Sequence, residues 1–281
     1  MKNLPTSKDK LLFTPGPLTT SQTVNQEMLR DLGSRDVEAV MTSAIPRDGK
    51  WLIVMNGAYK QRMKKIAAVH GIPCAMLSYD EDQYVSAADV DRELSNDPSI
   101  FAVAVVYWET TTGIMNPIEE VGSVVRKHGR KYFVDSMSAF DAVQFDFQTC
   151  EIDYLVSSAN KCIEGVPVRY QANCNTLLNG MRNLGFEEYL PSGKQGHIIT
   201  SFLFPQDRNF NFETFYEKLN DRGFVIYPGK VSNANCFRIG NIGRIFKSDV
   251  SALVSAVAVV LAEMQVQLKM PMHLGDSLGS L

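Results

Sequence analysis

The run Phe101-Ala102-Val103-Ala104-Val105-Val106-Tyr107-Trp108 decides the architecture. It contains no charge and no alternation of apolar with polar side chains. A strand built from it must therefore be covered on both faces, as in the interior of a parallel sheet. Its companions on either side are Trp51–Met55, Cys74–Leu77, Lys131–Val134 and Asp153–Val156. Helix-like stretches separate them. Tyr59–His70 stops at Gly71 and Pro73, Ser86–Leu94 opens on a serine cap, and Pro117–His128 places Pro117 at the first helical position and stops before Gly129. Strand–helix–strand alternation needs long crossovers and gives a mostly parallel α/β sheet.

Beyond this region the pattern changes. Helices are expected at Tyr170–Leu184, Phe212–Arg222 and Ser248–Leu268, and strands at Ile198–Phe204, Phe224–Tyr227 and Cys236–Ile239. That is an α+β order. The chain therefore divides into a large domain over residues 1–170 and a smaller carboxy-terminal domain over 171–281, with the boundary near Pro167–Gln171. Residues 1–20, counted with the large domain, can pack on the small one. The tail from Met270 is expected to fray.

Composition removes several classes of function. The 281 residues carry a net charge of −3, which gives no electrostatic case for nucleic acid or an anionic membrane. The longest apolar run, Ala252–Ala262, is broken by Ser255 and falls short of the ~20 residues of a bilayer span. Met1–Lys10 is polar, so no secretory leader is expected and a cytoplasmic location follows, with a mitochondrial one as the alternative. Five cysteines and four histidines are scattered without metal-ligand spacing, so reduced thiols and no metal site are expected.

Ligands of parallel sheets sit beyond the carboxyl ends of the strands. The segments there are Asn56-Gly57-Ala58-Tyr59, Glu109-Thr110-Thr111-Thr112-Gly113, Asp135-Ser136-Met137-Ser138 and Ser157-Ser158-Ala159-Asn160-Lys161. One edge thus collects an aromatic, hydroxyls, a carboxylate and a lysine. A lysine amine can join an aldehyde cofactor, a carboxylate can keep a pyridine nitrogen protonated, and an aromatic can stack on the ring. This is the inventory of a pyridoxal phosphate site. Taken singly, each piece also has a plainer reading. Lys161 can be a solvated surface lysine, Asp135-Ser136 a helix cap, Thr110–Thr112 turn chemistry and Tyr59 a helix start.

At these residues the chain resembles a known family. Leu12-Phe13-Thr14-Pro15-Gly16-Pro17-Leu18-Thr19 is similar to the amino-terminal signature of the class V, fold-type I pyridoxal phosphate aminotransferases. The longer strings Glu109–Gly113, Val134–Ser138, Ser157–Pro167 and Gly223–Lys230, together with Phe237–Gly243, resemble the 2-aminoethylphosphonate–pyruvate aminotransferases among them. The resemblance runs to about Leu261. It implies a homodimeric enzyme that moves the amino group of 2-aminoethylphosphonate to pyruvate, with pyridoxal 5'-phosphate as cofactor. By the same resemblance Lys161 is the catalytic Schiff-base lysine, and Asp135, Thr110, Tyr59, Asn160 and Met137 line the cofactor. Arg238 and Gly16 receive the substrate. The alternatives are another class V activity, such as alanine–glyoxylate aminotransfer, or a shortened chain without catalysis.

Three departures bear on the last alternative. Asp36 runs directly into Val37-Glu38-Ala39-Val40, where the family has a further helix and then the turn that seats the cofactor phosphate. Pro167 runs directly into Val168-Arg169-Tyr170, where the family has a longer segment. Lys60 stands where a small residue is expected after the aromatic. The first two look like internal deletions, and they are expected to leave part of the sheet edge exposed.

Overall fold

The computed structural model describes residues 10–14, 46, 49–57, 60–157, 166–191, 193–229, 231 and 234–268. Its centre is a five-stranded, all-parallel sheet. The strands are β2 (Lys50–Met55), β3 (Cys74–Ser78), β4 (Ile100–Val106), β7 (Lys131–Asp135) and β8 (Tyr154–Val156), in the order β3-β2-β4-β7-β8. The middle strand is the run that opened the sequence argument. Val103 and Val105 face a core shared with helices α2 (Ala87–Asn96) and α3 (Ile118–Lys127). Ala102, Ala104 and Val106 face the opposite core with Met63 and Ala67 of α1 (Lys60–Val69). Both faces are buried, so the strand has no polar side to show.

That strand is shorter than the sequence suggests. It stops at Val106, and Trp108–Glu109 (β5) turns back through Thr110–Gly113 to pair antiparallel with Ile114–Met115 (β6). The Asn116 amide donates to the Val106 carbonyl at 2.8 Å, which ends the ladder with a side chain in place of a strand.

Helix ends follow their caps. Ser86 accepts from the Asp89 amide at 3.2 Å, as expected of an N-cap. Pro117 lies one position before the helix; α3 starts at Ile118, with Glu119 and Glu120 in its first turn and Arg126 and Lys127 in its last. Gly129 closes α3 in the left-handed region at φ 66°, while Arg130 N–H reaches back to the Val125 carbonyl. Helix α4 (Pro167–Asn183) starts three residues earlier than expected, because Pro167 itself occupies the first turn. The last helix, α6 (Lys247–Glu263), ends five residues short of the expected Leu268. Gln265 adopts φ 55° and Val266 N–H closes on Leu261 O at 2.9 Å, a glycine-type stop made by a glutamine.

The remaining strands form a small antiparallel sheet, β11 (Tyr227–Pro228), β12 (Cys236–Gly240) and β9 (Ile199–Leu203). The expected single strand Phe224–Tyr227 is divided. Its first half, β10 (Phe224–Val225), pairs in parallel with β1 (Leu11–Leu12), and its second half is β11. With α5 (Phe212–Asp221), these elements enclose a core of Phe186, Phe202, Phe215 and Phe237, and Phe13 enters it from the amino-terminal strand. Helix α4 spans the expected domain boundary. Tyr170 packs into the core of the parallel sheet, and Leu177 and Met181 pack into the aromatic one.

Candidate active site

Parallel pairing aligns the strand ends. Asp135, the last residue of β7, lies between Val106 of β4 and Val156 of β8. Its carboxylate accepts the Met137 N–H at 3.0 Å, a local turn that fixes the side chain just beyond the sheet. Its carbonyl accepts from Tyr107 N–H at 2.9 Å, and Ser136 N–H reaches Val156 O at 2.8 Å. Asp135 is therefore held by both neighbouring strands. Met137 follows it directly. Ser136 is fully buried, and its hydroxyl has no hydrogen-bond partner among the described residues. Burial pushes the Tyr107 phenol up to about 12, so it stays protonated beside this edge.

Thr110 is 2% exposed, in the hairpin turn beyond β4. Its carbonyl accepts from Arg238 Nη1 at 2.9 Å, and Arg238 Nε donates to Pro228 O at 3.0 Å. The guanidinium also lies 5.9 Å from the centre of the Tyr227 ring. Arg238, on β12 of the small sheet, thus meets the turn after β4 across 128 residues of sequence. Ser201 supports the same junction with a longer 3.4 Å bond to Thr111 O.

The structure therefore brings Asp135 and Met137 together, and Thr110 and Arg238 together, with Tyr107 N–H tying the hairpin to Asp135. Lys161, Asn160, Tyr59 and Gly16 lie outside the described residues. Two sets of buried residues that the sequence argument gave no role also belong here. Asn56 and Asn116 exchange amide hydrogen bonds at 2.8 and 3.1 Å. Glu109, 1% exposed, accepts from Thr111 N and Oγ1. Only their positions just past strand ends could have flagged them. A depression of about 590 Å³ opens beside Tyr107 and Asn116, and one of about 640 Å³ lies at Phe140, Phe145 and Phe147.

The residue types fit the ring of pyridoxal phosphate: a carboxylate at a strand end, a threonine in the turn beyond the neighbouring strand, and an arginine bonded to that turn. Among the described residues no group of three or more His, Cys, Asp or Glu side chains could hold a metal ion. Among them, too, no helix is long and apolar enough to cross a membrane.

Comparison with known proteins identifies the family. The class-V aminotransferase family model matches residues 36–171. A 2-aminoethylphosphonate–pyruvate transaminase of Klebsiella pneumoniae is 36% identical over 358 residues, covering 90% of this chain and 98% of the relative. One from Vibrio vulnificus is 35% identical over 353 residues, covering 88% and 96%. Both alignments are longer than the 281 residues of this chain, so each relative carries stretches that this chain lacks. Among solved structures, ureidoglycine–glyoxylate aminotransferase of Bacillus subtilis superposes with a TM-score of 0.84 at 16% identity, covering 95% of this chain and 96% of its own. Pyridoxamine–pyruvate aminotransferase of Mesorhizobium loti gives 0.81, also at 16% identity and with the same coverage. These structures fix the fold as fold-type I, and the sequence relatives fix the family. This chain belongs to the 2-aminoethylphosphonate–pyruvate transaminases, within the class-V aminotransferases.

Proposed function

We propose that this chain carries the groups for transamination between 2-aminoethylphosphonate and pyruvate, giving phosphonoacetaldehyde and alanine, with pyridoxal phosphate as cofactor. The observation that carries the reading is Asp135, fixed at the end of β7 by β4 and β8 with the Thr110 turn beyond the neighbouring strand. When bound, the cofactor supplies an electron sink for the carbon that loses its proton.

The chain's own residues have defined tasks. Asp135 keeps a pyridine nitrogen charged, because a carboxylate offsets a cation where an amide cannot. Tyr59 would stack on the ring, Thr110 would offer it a hydroxyl, and Met137 and Asn160 would line it. Lys161 would hold the cofactor through its aldehyde, and its amine would carry the proton. Arg238 takes the carboxylate of the keto acid near Gly16. A carboxylate arriving there competes with the Thr110 and Pro228 carbonyls as a stronger acceptor for a planar fork. The catalytic unit is a homodimer, which sedimentation of the purified chain tests.

A second feature qualifies the first. The alignments exceed the chain in length, and in sequence Asp36 runs directly into Val37-Glu38-Ala39-Val40, without the residues the resemblance leads one to expect for a phosphate turn. A cofactor phosphate carries close to two negative charges and is normally seated on backbone N–H groups at a helix amino terminus. Each charge-assisted bond lost costs roughly 1.5–3 kcal/mol. Loss of two weakens binding by at least ~100-fold. The chain then holds the ring at one end and turns over slowly. Titration with pyridoxal phosphate, followed by assays with 2-aminoethylphosphonate–pyruvate and alanine–glyoxylate, tests both points. Turnover of the second pair alone would replace the substrate assignment, and tight stoichiometric binding would show that another turn seats the phosphate.

A further inference from the structure

Glu109 is a carboxylate buried to 1% exposure inside the hairpin that carries Thr110. Burying a charge is expensive unless its bonds are made, and those it makes among the described residues tie down its own turn. Oε1 accepts from Thr111 N–H at 3.0 Å and from Thr111 Oγ1 at 2.8 Å. The rest of the carboxylate lies against Gly57, in the loop after β2. A Cβ built on Gly57 would stand 2.1 Å from both Cδ and Oε2 of Glu109, so position 57 has no room for a side chain. The other foot of the same hairpin is tied to the same loop. Asn116 exchanges amide bonds with Asn56 at 2.8 and 3.1 Å and donates to Val106 O at 2.8 Å.

Thr110 sits between these ties. The peptide on its carboxyl side is held by Glu109 through Thr111, and its own carbonyl is held by Arg238. The loop that Glu109 touches leads within two residues to Tyr59. We propose that Glu109 is a positioning residue: its buried carboxylate locks the Thr110 turn against Gly57 and so fixes the place of the Thr110 hydroxyl in the cofactor site. The inference rests on the reading of this edge as a pyridoxal phosphate site, but the lock itself is a property of the cofactor-free chain.

The test uses the full chain with Glu109→Gln, which keeps the volume and removes the charge, and Gly57→Ala, which pushes the carboxylate away from the other side. Hydrogen exchange of the cofactor-free protein is followed in two peptides, one containing Asn56 and Gly57, the other Thr110–Gly113. Each variant is expected to speed exchange about tenfold in both peptides, although they are more than 50 residues apart. The double variant is expected to add little to the stronger single one, because both break one contact. Cofactor affinity is expected to fall about tenfold in each. Faster exchange confined to Thr110–Gly113 in Glu109→Gln would overturn the lock, as would fully additive effects. Normal cofactor affinity in both variants, with binding by the parent chain, would overturn the positioning role. If the parent chain takes up no cofactor, the functional reading fails separately and the exchange result still decides the lock. If Glu109→Gln does not fold, Thr111→Val removes one of the two bonds and is read in the same two peptides.

Discussion

The Glu109–Thr112 turn and the Val166–Val168 junction sit at opposite fates of one fold. The turn is built from polar residues, and all four are at most 2% exposed. The junction is built from apolar ones, yet Val166 is 44% and Val168 81% exposed. Pro167 shares a wall with Phe140 and Phe147, themselves 36% and 47% exposed. Burial here does not follow side-chain polarity. It follows what packs around each segment. The turn is enclosed by Arg238, Ser201 and the loop after β2, so even a carboxylate finds its partners; the junction lies at the surface, where valines and phenylalanines meet solvent.

The largest effect is expected at the polar end. Arg238→Met removes two charge-assisted bonds and leaves the buried Thr110 carbonyl and the Pro228 carbonyl without them. Urea unfolding should show a loss of about 3 kcal/mol or more. A change below about 0.5 kcal/mol would mean that the turn does not depend on the small sheet.

Tyr170→Phe comes next, because it probes the buried side of the junction helix. The Tyr170 hydroxyl accepts from Gly243 N–H at 3.1 Å, and the side chain is fully buried. Losing it should cost about 1–2 kcal/mol by the same measurement. No loss would show that α4 is as loosely held inside as it is exposed outside.

His197 gives a smaller, pH-dependent effect. Burial holds its imidazole below the usual range, while Nε2 contacts the Ala142 carbonyl at 3.2 Å. A group whose folded pKa is depressed in this way binds its proton more readily when unfolded. Its contribution is complete above about pH 6.5 and is lost as pH falls below it. His197→Asn should therefore show a shallower fall in urea midpoint between pH 7.5 and 5.5 than the parent chain. An equal fall would assign the pH dependence elsewhere.

The smallest stability change is expected at Val168→Asp. The side chain is almost fully exposed, so stability should move by no more than about 0.5 kcal/mol while self-association in sedimentation decreases. A large destabilisation would show that Val168 is covered in solution.

Much of this was legible in the sequence. All five parallel strands are where the apolar runs place them, because a strand buried on both faces has to be continuously apolar. Asp135 and Thr110 were found as the polar residues that end such runs. The hairpin after Val106 was not, since Tyr107 and Trp108 extend the apolar run while Asn116, ten residues on, ends the ladder. The stop at Gln265 was missed because only glycine signals a left-handed residue in advance. Glu109 shows the same gap, and for Arg238 the resemblance named the residue while nothing local announced its bonds. A charge buried against backbone groups 128 residues away, as Arg238 is on Thr110, leaves no local pattern.

The proposal that matters most is that Lys161 takes up pyridoxal phosphate. Its most direct test is to saturate the purified chain with pyridoxal phosphate, reduce it with borohydride, and map the modified lysine by peptide mass. The account predicts a single pyridoxyl group on Lys161, reached only at cofactor concentrations well above those of the longer relatives, and its absence in Lys161→Ala with the fold retained. Labelling spread over surface lysines, or equal labelling of Lys161→Ala, would contradict it.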